Sequence, residues 1–171
     1  MKRFIHFSFL LILLSNYSFS QQIDSEKSKV VFEVGNMKMR RVKGEFSQLS
    51  GSVDLDKNVY GFHICLKAET VNTKNKKRDE HLRTEDFFNV DKFPVICFDS
   101  QSFREEKGLV FVLGKLSMLG VTKLVQIQME INENYISGYF TINRLDFGLG
   151  KETNTFLIAD EVKIQVTCFV K

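Results

Sequence analysis

The tightest grouping of residues able to move a proton or hold a charge is Arg78, Asp79 and His81. A carboxylate that orients an imidazole is the pair a hydrolase uses to activate a nucleophile, so His81 with Asp79 is the hydrolytic alternative this sequence offers. The remaining parts of such a site are missing. Beyond the first twenty residues the chain holds only His63 and His81, with no GxSxG elbow, no HExxH and no phosphate-cradling glycine loop. Nothing in the spacing sets a nucleophile beside His81, and His63 falls on the polar parity of its strand. The plainer reading of Arg78, Asp79 and His81 is a helix start, where Asp79 caps or balances the first turn. No residue is therefore assigned as catalytic.

Arg144 is the other charge that needs an account. It shares strand parity with Phe140 and Ile142 and so points inward, where an unpaired guanidinium is costly. It requires a partner: Asp146 or Asp79 within the chain, or a phosphate or carbonyl of a ligand. Cys65, Cys97 and Cys168 show no CxxC or metal-type spacing, so no metal is expected. They read as small packing residues in strands, with a Cys65–Cys97 bridge between neighbouring strands as the alternative.

The elements that position these residues are almost all strands. Val30, Phe32 and Val34 alternate with Glu33. A basic connection (Lys38, Arg40, Arg41, Lys43) leads to Gly44–Phe46, Leu49, Val53 and Leu55, a long or bent strand interrupted at Gly51. Phe62, Ile64, Leu66 and Ala68 alternate with His63, Cys65, Lys67 and Glu69. The stretch Arg78 to Phe98 does not read as a strand until Ile96 and Phe98. Leu109 to Leu116 is apolar on both parities, as in a strand buried on both faces or one serving a dimer interface. Val125, Ile127, Met129 and Ile131, then Ile136, Gly138, Phe140 and Ile142, then Val162, Ile164, Val166 and Cys168 complete the series. Short polar connections between them predict a sequential antiparallel sheet, which hides one apolar face by closing into an eight-stranded barrel. The barrel is wide enough for one small ligand or a plug of side chains.

Composition bounds the rest. The 171 residues suit one domain, 43% of them are apolar, and phenylalanine contributes 17 against one proline and no tryptophan. Lys2 and Arg3, the apolar run Phe4 to Leu14 and Ser18-Phe19-Ser20 before Gln21 form a secretory signal over residues 1–20. The run is too short for a stop-transfer helix, so no stable membrane insertion is expected after its removal. Losing Lys2 and Arg3 lowers the formal net charge from +3 to +1, which weighs against a nucleic-acid partner.

Several motifs together resemble one family. Arg78-Asp79-x-His81-Leu82, Asp86-Phe87-Phe88, Phe93-Pro94 and Phe98 are similar to the hallmark segment of the YceI-like family of exported bacterial lipid-binding proteins. Gly44-x-Phe46 with Gly51, Gly114-x-Leu116 with Gly120-Val121-Thr122-Lys123, and Asp146-Phe147-Gly148 follow in the family order. The resemblance implies that residues 21–171 form a lipocalin-like extended barrel in the periplasm or a secreted protein, holding a long apolar lipid of polyisoprenoid or isoprenoid quinone type. It needs no cofactor. A short helical excursion near residues 74–93 would lie beside or over the barrel, docked by Phe87, Phe88 and Phe93. The expected apolar lining is Phe32, Val34, Phe46, Ile64, Leu66, Phe98, Ile127, Met129, Phe140, Ile142, Ile164 and Val166. The polar head candidates are Asn36, Arg78, His81 and Arg144. Two departures from the family pattern bear on the head group or the pocket mouth: Asn36 where a histidine is common, and only Asn132-Glu133-Asn134 where some members carry an insertion. The competing reading is an interaction or structural module with a filled core.

Overall fold

The computed structural model describes residues 21–36, 40–56, 59–132 and 135–171. The expected signal segment and the tip of the basic connection, with Lys38, lie outside these residues. The described residues form ten strands: β1 (Gln21–Gln22), β2 (Lys29–Asn36), β3 (Arg40–Phe46), β4 (Ser50–Asp56), β5 (Val59–Lys67), β6 (Val95–Glu106), β7 (Leu109–Met118), β8 (Val121–Ile131), β9 (Tyr135–Asn143) and β10 (Ile158–Phe169). Among the described residues one α-helix, α1 (Lys76–Arg83), stands between β5 and β6, and 3-10 turns occupy Ala68–Thr70 and Arg144–Phe147.

All pairings are antiparallel and the strands form a single sheet in the order β1-β4-β5-β6-β7-β8-β9-β10-β2-β3. It curls into a lipocalin-like half-barrel. Bridges between Ile23 and Val170 and between Glu45 and Asn72 tie its margins. The mainly β class agrees with the sequence reading; the count is ten because the chain is split more finely than eight. The stretch read as one bent strand is two, β3 and β4, and the break falls at Ser47–Leu49, before Gly51. Gly51 sits at φ 126°, where a Cβ would strike the His63 carbonyl oxygen on β5.

Register carries the alternation across the sheet. Ile64 on β5 stands opposite Phe98 on β6, Phe98 opposite Leu116 on β7, and Ile164 on β10 between Phe140 on β9 and Phe32 on β2. One parity thus forms a continuous inward face, as half-buried antiparallel strands require. β7 is buried on one face only. Val112, Gly114 and Leu116 point in, while Leu109 and Leu113 are exposed and Phe111 lies under the Arg104 guanidinium, 4.8 Å from its ring.

Cys65 and Cys97 are joined in a disulfide between β5 and β6, so the bridge replaces the free packing role for both. The closed loop spans a separation of 32 residues and contains α1; chain-entropy reasoning gives such a loop roughly 3.5–4 kcal/mol of stabilisation. Cys168 is free and buried, and burial pushes its thiol up to about 12, as expected of an inert packing residue.

Candidate functional site

The inward face encloses a cavity of about 200 Å³ lined almost wholly by apolar side chains. All twelve residues expected from strand parity line it: Phe32, Val34, Phe46, Ile64, Leu66, Phe98, Ile127, Met129, Phe140, Ile142, Ile164 and Val166. Gly138, on the inward parity of β9, marks where the walls close together, because a Cβ there would lie 2.8 Å from Ile127 Cγ2 and Val166 Cγ1 and 2.9 Å from Met129 Sδ. Sequence reasoning left out two groups of lining residues. Val30, Val42, Leu116 and Met118 share the inward parity and were legible from it. Leu82, Phe87, Phe88 and Leu149 come from α1, the segment after it and the β9–β10 connection, where no period announces which way a side chain points, and Ile158 opens β10 ahead of a register shift.

Over the cavity lies the excursion that contains α1. An eight-residue helix is too short to hold itself together in water, and this one buries only Asp79. Polar latches and flanking phenylalanines hold it instead. Asn75 caps it, accepting from the Arg78 backbone N–H at 3.1 Å. Thr73 donates both its backbone N–H (2.8 Å) and its hydroxyl (2.5 Å) to Asp79 Oδ1. Arg83 donates to the carbonyls of Glu69 (2.7 Å) and Val71 (2.8 Å), which fixes the far turn of the helix to the segment following β5. Phe87 and Phe88 are buried, Phe88 edge-on to Phe46 at 5.3 Å, and the φ-positive glycines Gly120 and Gly150 leave room for the rings of Phe93 and Phe87. Burial pushes the Asp79 carboxyl up, but the two Thr73 donors with Arg83 and Arg78 outweigh it and hold its pKa below the ordinary 3.8.

Arg144 belongs to the part of the cavity wall formed by the β9–β10 connection. It is 2% exposed and touches the cavity, yet every guanidinium nitrogen is engaged. Nε donates to Ala159 O (3.1 Å), Nη1 to Leu149 O (2.9 Å) and Gly150 O (2.7 Å), and Nη2 to Thr153 O (3.3 Å), Ile158 O (3.2 Å) and Asp160 Oδ1 (3.1 Å). Its acidic partner is thus Asp160. Asp146 is exposed on the preceding turn and Asp79 is committed to Thr73, so neither serves. The five carbonyls belong to the connection leading into β10 and to its first residues, and no periodicity in the sequence marks them as ligands of an arginine.

The remaining head candidates separate. Arg78 lines the cavity and spends Nε and Nη2 on Thr73, at 2.7 and 3.0 Å. Asn36, at the end of β2 opposite Arg40 and Ile158, also lines it. His81 does not: it is exposed, with Nε2 3.0 Å from Asp86 Oδ2 and its ring edge-on to Phe87. The His81–Asp79 pair that a hydrolase would need is not formed. Among the described residues no cluster of three or more His, Cys, Asp or Glu could hold a metal ion, and no helix is long and apolar enough to cross a membrane.

A curled antiparallel sheet around an apolar cavity, with a short helical segment across its mouth, places the molecule among lipocalin-like proteins. More specifically, the chain belongs to the YceI-like family, whose domain matches residues 21–169. The UPF0312 protein SA2479 of Staphylococcus aureus is 29% identical over 175 residues, covering 90% of this chain and 96% of that protein. The crystal structure of Burkholderia cenocepacia BcnA superposes with a TM-score of 0.77 at 22% identity, covering 85% of this chain and 98% of that one. A polyisoprenoid binding domain from Saccharophagus degradans superposes with a TM-score of 0.69 at 18% identity, covering 88% and 97%.

Proposed function

We propose that this protein binds a long apolar lipid, of polyisoprenoid or isoprenoid quinone type, inside the half-barrel without transforming it. The observation that carries the reading is the cavity wall: 29 residues line it, and, Cys97 aside, whose sulfur is turned to Cys65 on the outer parity, the only polar or charged residues are Asn36, Arg78 and Arg144. The polyisoprenoid binding of the Saccharophagus domain of the same fold supports the ligand class. Each methylene moved from water into such a wall contributes about 0.8 kcal/mol, so an isoprenoid chain supplies affinity by length, offset in part by its lost freedom. A cavity of about 150 Å³ suffices for benzene, so the 200 Å³ here holds a short segment. A longer chain is admitted by swinging adaptable side chains such as Met118 and Met129.

The head group follows from which donors are committed. Arg144 has every nitrogen bound and offers a head group nothing, which leaves Asn36 and part of Arg78. Two such groups suit a small hydroxyl or carbonyl head better than a fully ionised phosphate, which needs several cationic donors. The signal-like residues 1–20 and the Cys65–Cys97 bridge both favour an oxidising compartment outside the cytoplasm.

Organic extraction of the purified protein followed by mass spectrometry tests the reading. A co-purifying isoprenoid lipid is expected, and Ile142→Glu in the wall should abolish it while Leu124→Glu on the exposed outer surface leaves it in place. A protein that stays empty when offered such lipids, or an Ile142→Glu variant that is folded by circular dichroism and still loaded, would overturn it in favour of a filled-core module.

A further inference from the structure

The outer face of the half-barrel carries a second group of chemically capable residues, remote in kind from the apolar cavity. Cys65 and Cys97 face each other across β5 and β6, and the next outward pair along the same strands is His63 and Asp99. His63 Nδ1 lies 2.6 Å from Asp99 Oδ1, which fixes the proton on Nδ1 in the neutral ring and turns Nε2 toward the disulfide. Nε2 stands 3.7 Å from Cys65 Sγ. The four side chains therefore run in the order carboxylate, imidazole, sulfur, sulfur. The register neighbours are small: Ser50 opposite Cys65, Ser52 opposite His63 and Ser117 opposite Cys97. No bulky side chain stands opposite the bridge on either neighbouring strand.

We infer that Cys65–Cys97 is an exchangeable redox disulfide, with Cys97 the sulfur attacked by a dithiol reductant and Cys65 the leaving thiolate received by His63 under the orientation of Asp99. In the first step a thiolate of the dithiol forms a bond to Cys97 Sγ, the Cys65–Cys97 bond breaks, and its electron pair departs on Cys65 Sγ. The His63 imidazolium, donating through Nε2, stabilises that thiolate or passes it a proton. In the second step the remaining thiolate of the reductant attacks its own sulfur in the mixed disulfide and expels Cys97, which takes a proton from water. The protein disulfide gains two electrons and two protons, and the dithiol is oxidised to its own disulfide. A cation held beside the leaving sulfur both speeds the exchange and stabilises the reduced form, which makes the disulfide the more oxidising partner.

A merely structural bridge would not use His63, and this separates the two readings. The charged groups sharing the outer face with it are Asp99 directly opposite, Lys115 opposite Asp99 on β7, Lys67 further along β5 and Asp54 on β4. Reduction of the intact protein by dithiothreitol is followed from pH 5.5 to 8 by acid quench and alkylation, alongside equilibration with glutathione buffers, for wild type, His63→Gln and Asp99→Asn. His63→Gln should slow reduction at pH 7 at least tenfold and shift the equilibrium tenfold toward the disulfide, about 30 mV for this two-electron couple. Asp99→Asn should do the same to a smaller degree. Both residues are more than half exposed, so thermal melting of the oxidised variants reports whether the fold is kept. In a second measurement, Cys97→Ser, which leaves Cys65 free beside His63, should alkylate at pH 7 at least tenfold faster than Cys65→Ser, and His63→Gln should erase the difference. Equal reduction rates and glutathione equilibria in wild type and His63→Gln, or a free Cys65 no more reactive than a free Cys97, would overturn the inference and leave the bridge as a staple.

Discussion

Replacing Arg144 by methionine keeps the apolar stem and removes the five N–H donors that gather the β9–β10 connection. Six acceptors lose their partner: the carbonyls of Leu149, Gly150, Thr153, Ile158 and Ala159, and the Asp160 carboxylate. They do not lose equally. Asp160 is 33% exposed and can return to water, and Thr153 lies on the outer part of the connection. Leu149 and Gly150 are buried and sit behind Phe87. Two buried carbonyls left unmatched cost about 1–3 kcal/mol each, so the variant should lose roughly 2–6 kcal/mol, centred on about 4 kcal/mol. With a urea m-value of about 2 kcal/mol/M, the unfolding midpoint falls by about 2 M. Asp160→Asn, which removes the charge but keeps an acceptor oxygen at a partly exposed position, should cost less than about 1 kcal/mol. A loss below 1 kcal/mol for Arg144→Met, coupled to loss of bound lipid, would refute this account and return Arg144 to the role of a head-group ligand.

Three further outcomes follow from the same geometry. Gly138→Val pushes two methyl groups among Ile127, Val166 and Met129, so it should shorten the lipid chain retained on extraction and destabilise by about 1–3 kcal/mol through overpacking; an unchanged chain-length profile would place the ligand elsewhere. Because the folded pKa of Asp79 lies below its unfolded value, its stabilisation is complete above about pH 4 and fades as the pH falls through the lower folded value. Hydrogen exchange across α1 should therefore accelerate in acid before the sheet does, a difference that Asp79→Asn abolishes; acid loosening of α1 that persists in that variant would point to another group. Arg83→Met removes the latch to Glu69 and Val71 and should speed uptake of an apolar dye while lowering global stability by less than Arg144→Met does; equal losses in the two variants would show that both segments are equally structural.

Strand parity made the cavity wall readable because each inward residue of a half-buried strand is fixed by its neighbours two positions away. Phe140 and Ile142 needed no more than that. The same rule put Arg144 on the inward face but could not name its partners, since five of them are backbone carbonyls of the aperiodic β9–β10 connection and the start of β10 and carry no residue-type signal. His81 was misplaced by proximity in sequence: two positions along a helix turn a side chain to a different face, so Asp79 goes inward to Thr73 while His81 goes outward to Asp86. The apolar run in β7 suggested two buried faces, yet Leu109 and Leu113 stay exposed. The His63–Asp99 and Cys65–Cys97 pairs depend on the register between β5 and β6, which two separate stretches of sequence do not reveal.

The two segments that complete the cavity wall, the α1 excursion and the β9–β10 connection, are each fastened by an arginine, and the two are used in opposite ways. Arg144 is 2% exposed and its donors are spent on backbone, so freeing it strands buried carbonyls together with a buried charge. Arg83 is half-buried and makes two bonds to carbonyls, one from the exposed Glu69 and one from the buried Val71, so water can take over the first position when it lets go and only one buried carbonyl is left unmatched. The helix it anchors is too short to persist by itself and contributes little apolar area beyond Leu82. Opening on the α1 side thus strands one buried carbonyl, whereas releasing Arg144 strands at least two together with a buried charge. For the lipid binding proposed above, the α1 side is therefore the less costly one to open, and faster dye uptake by Arg83→Met than by the wild type is the result expected of it.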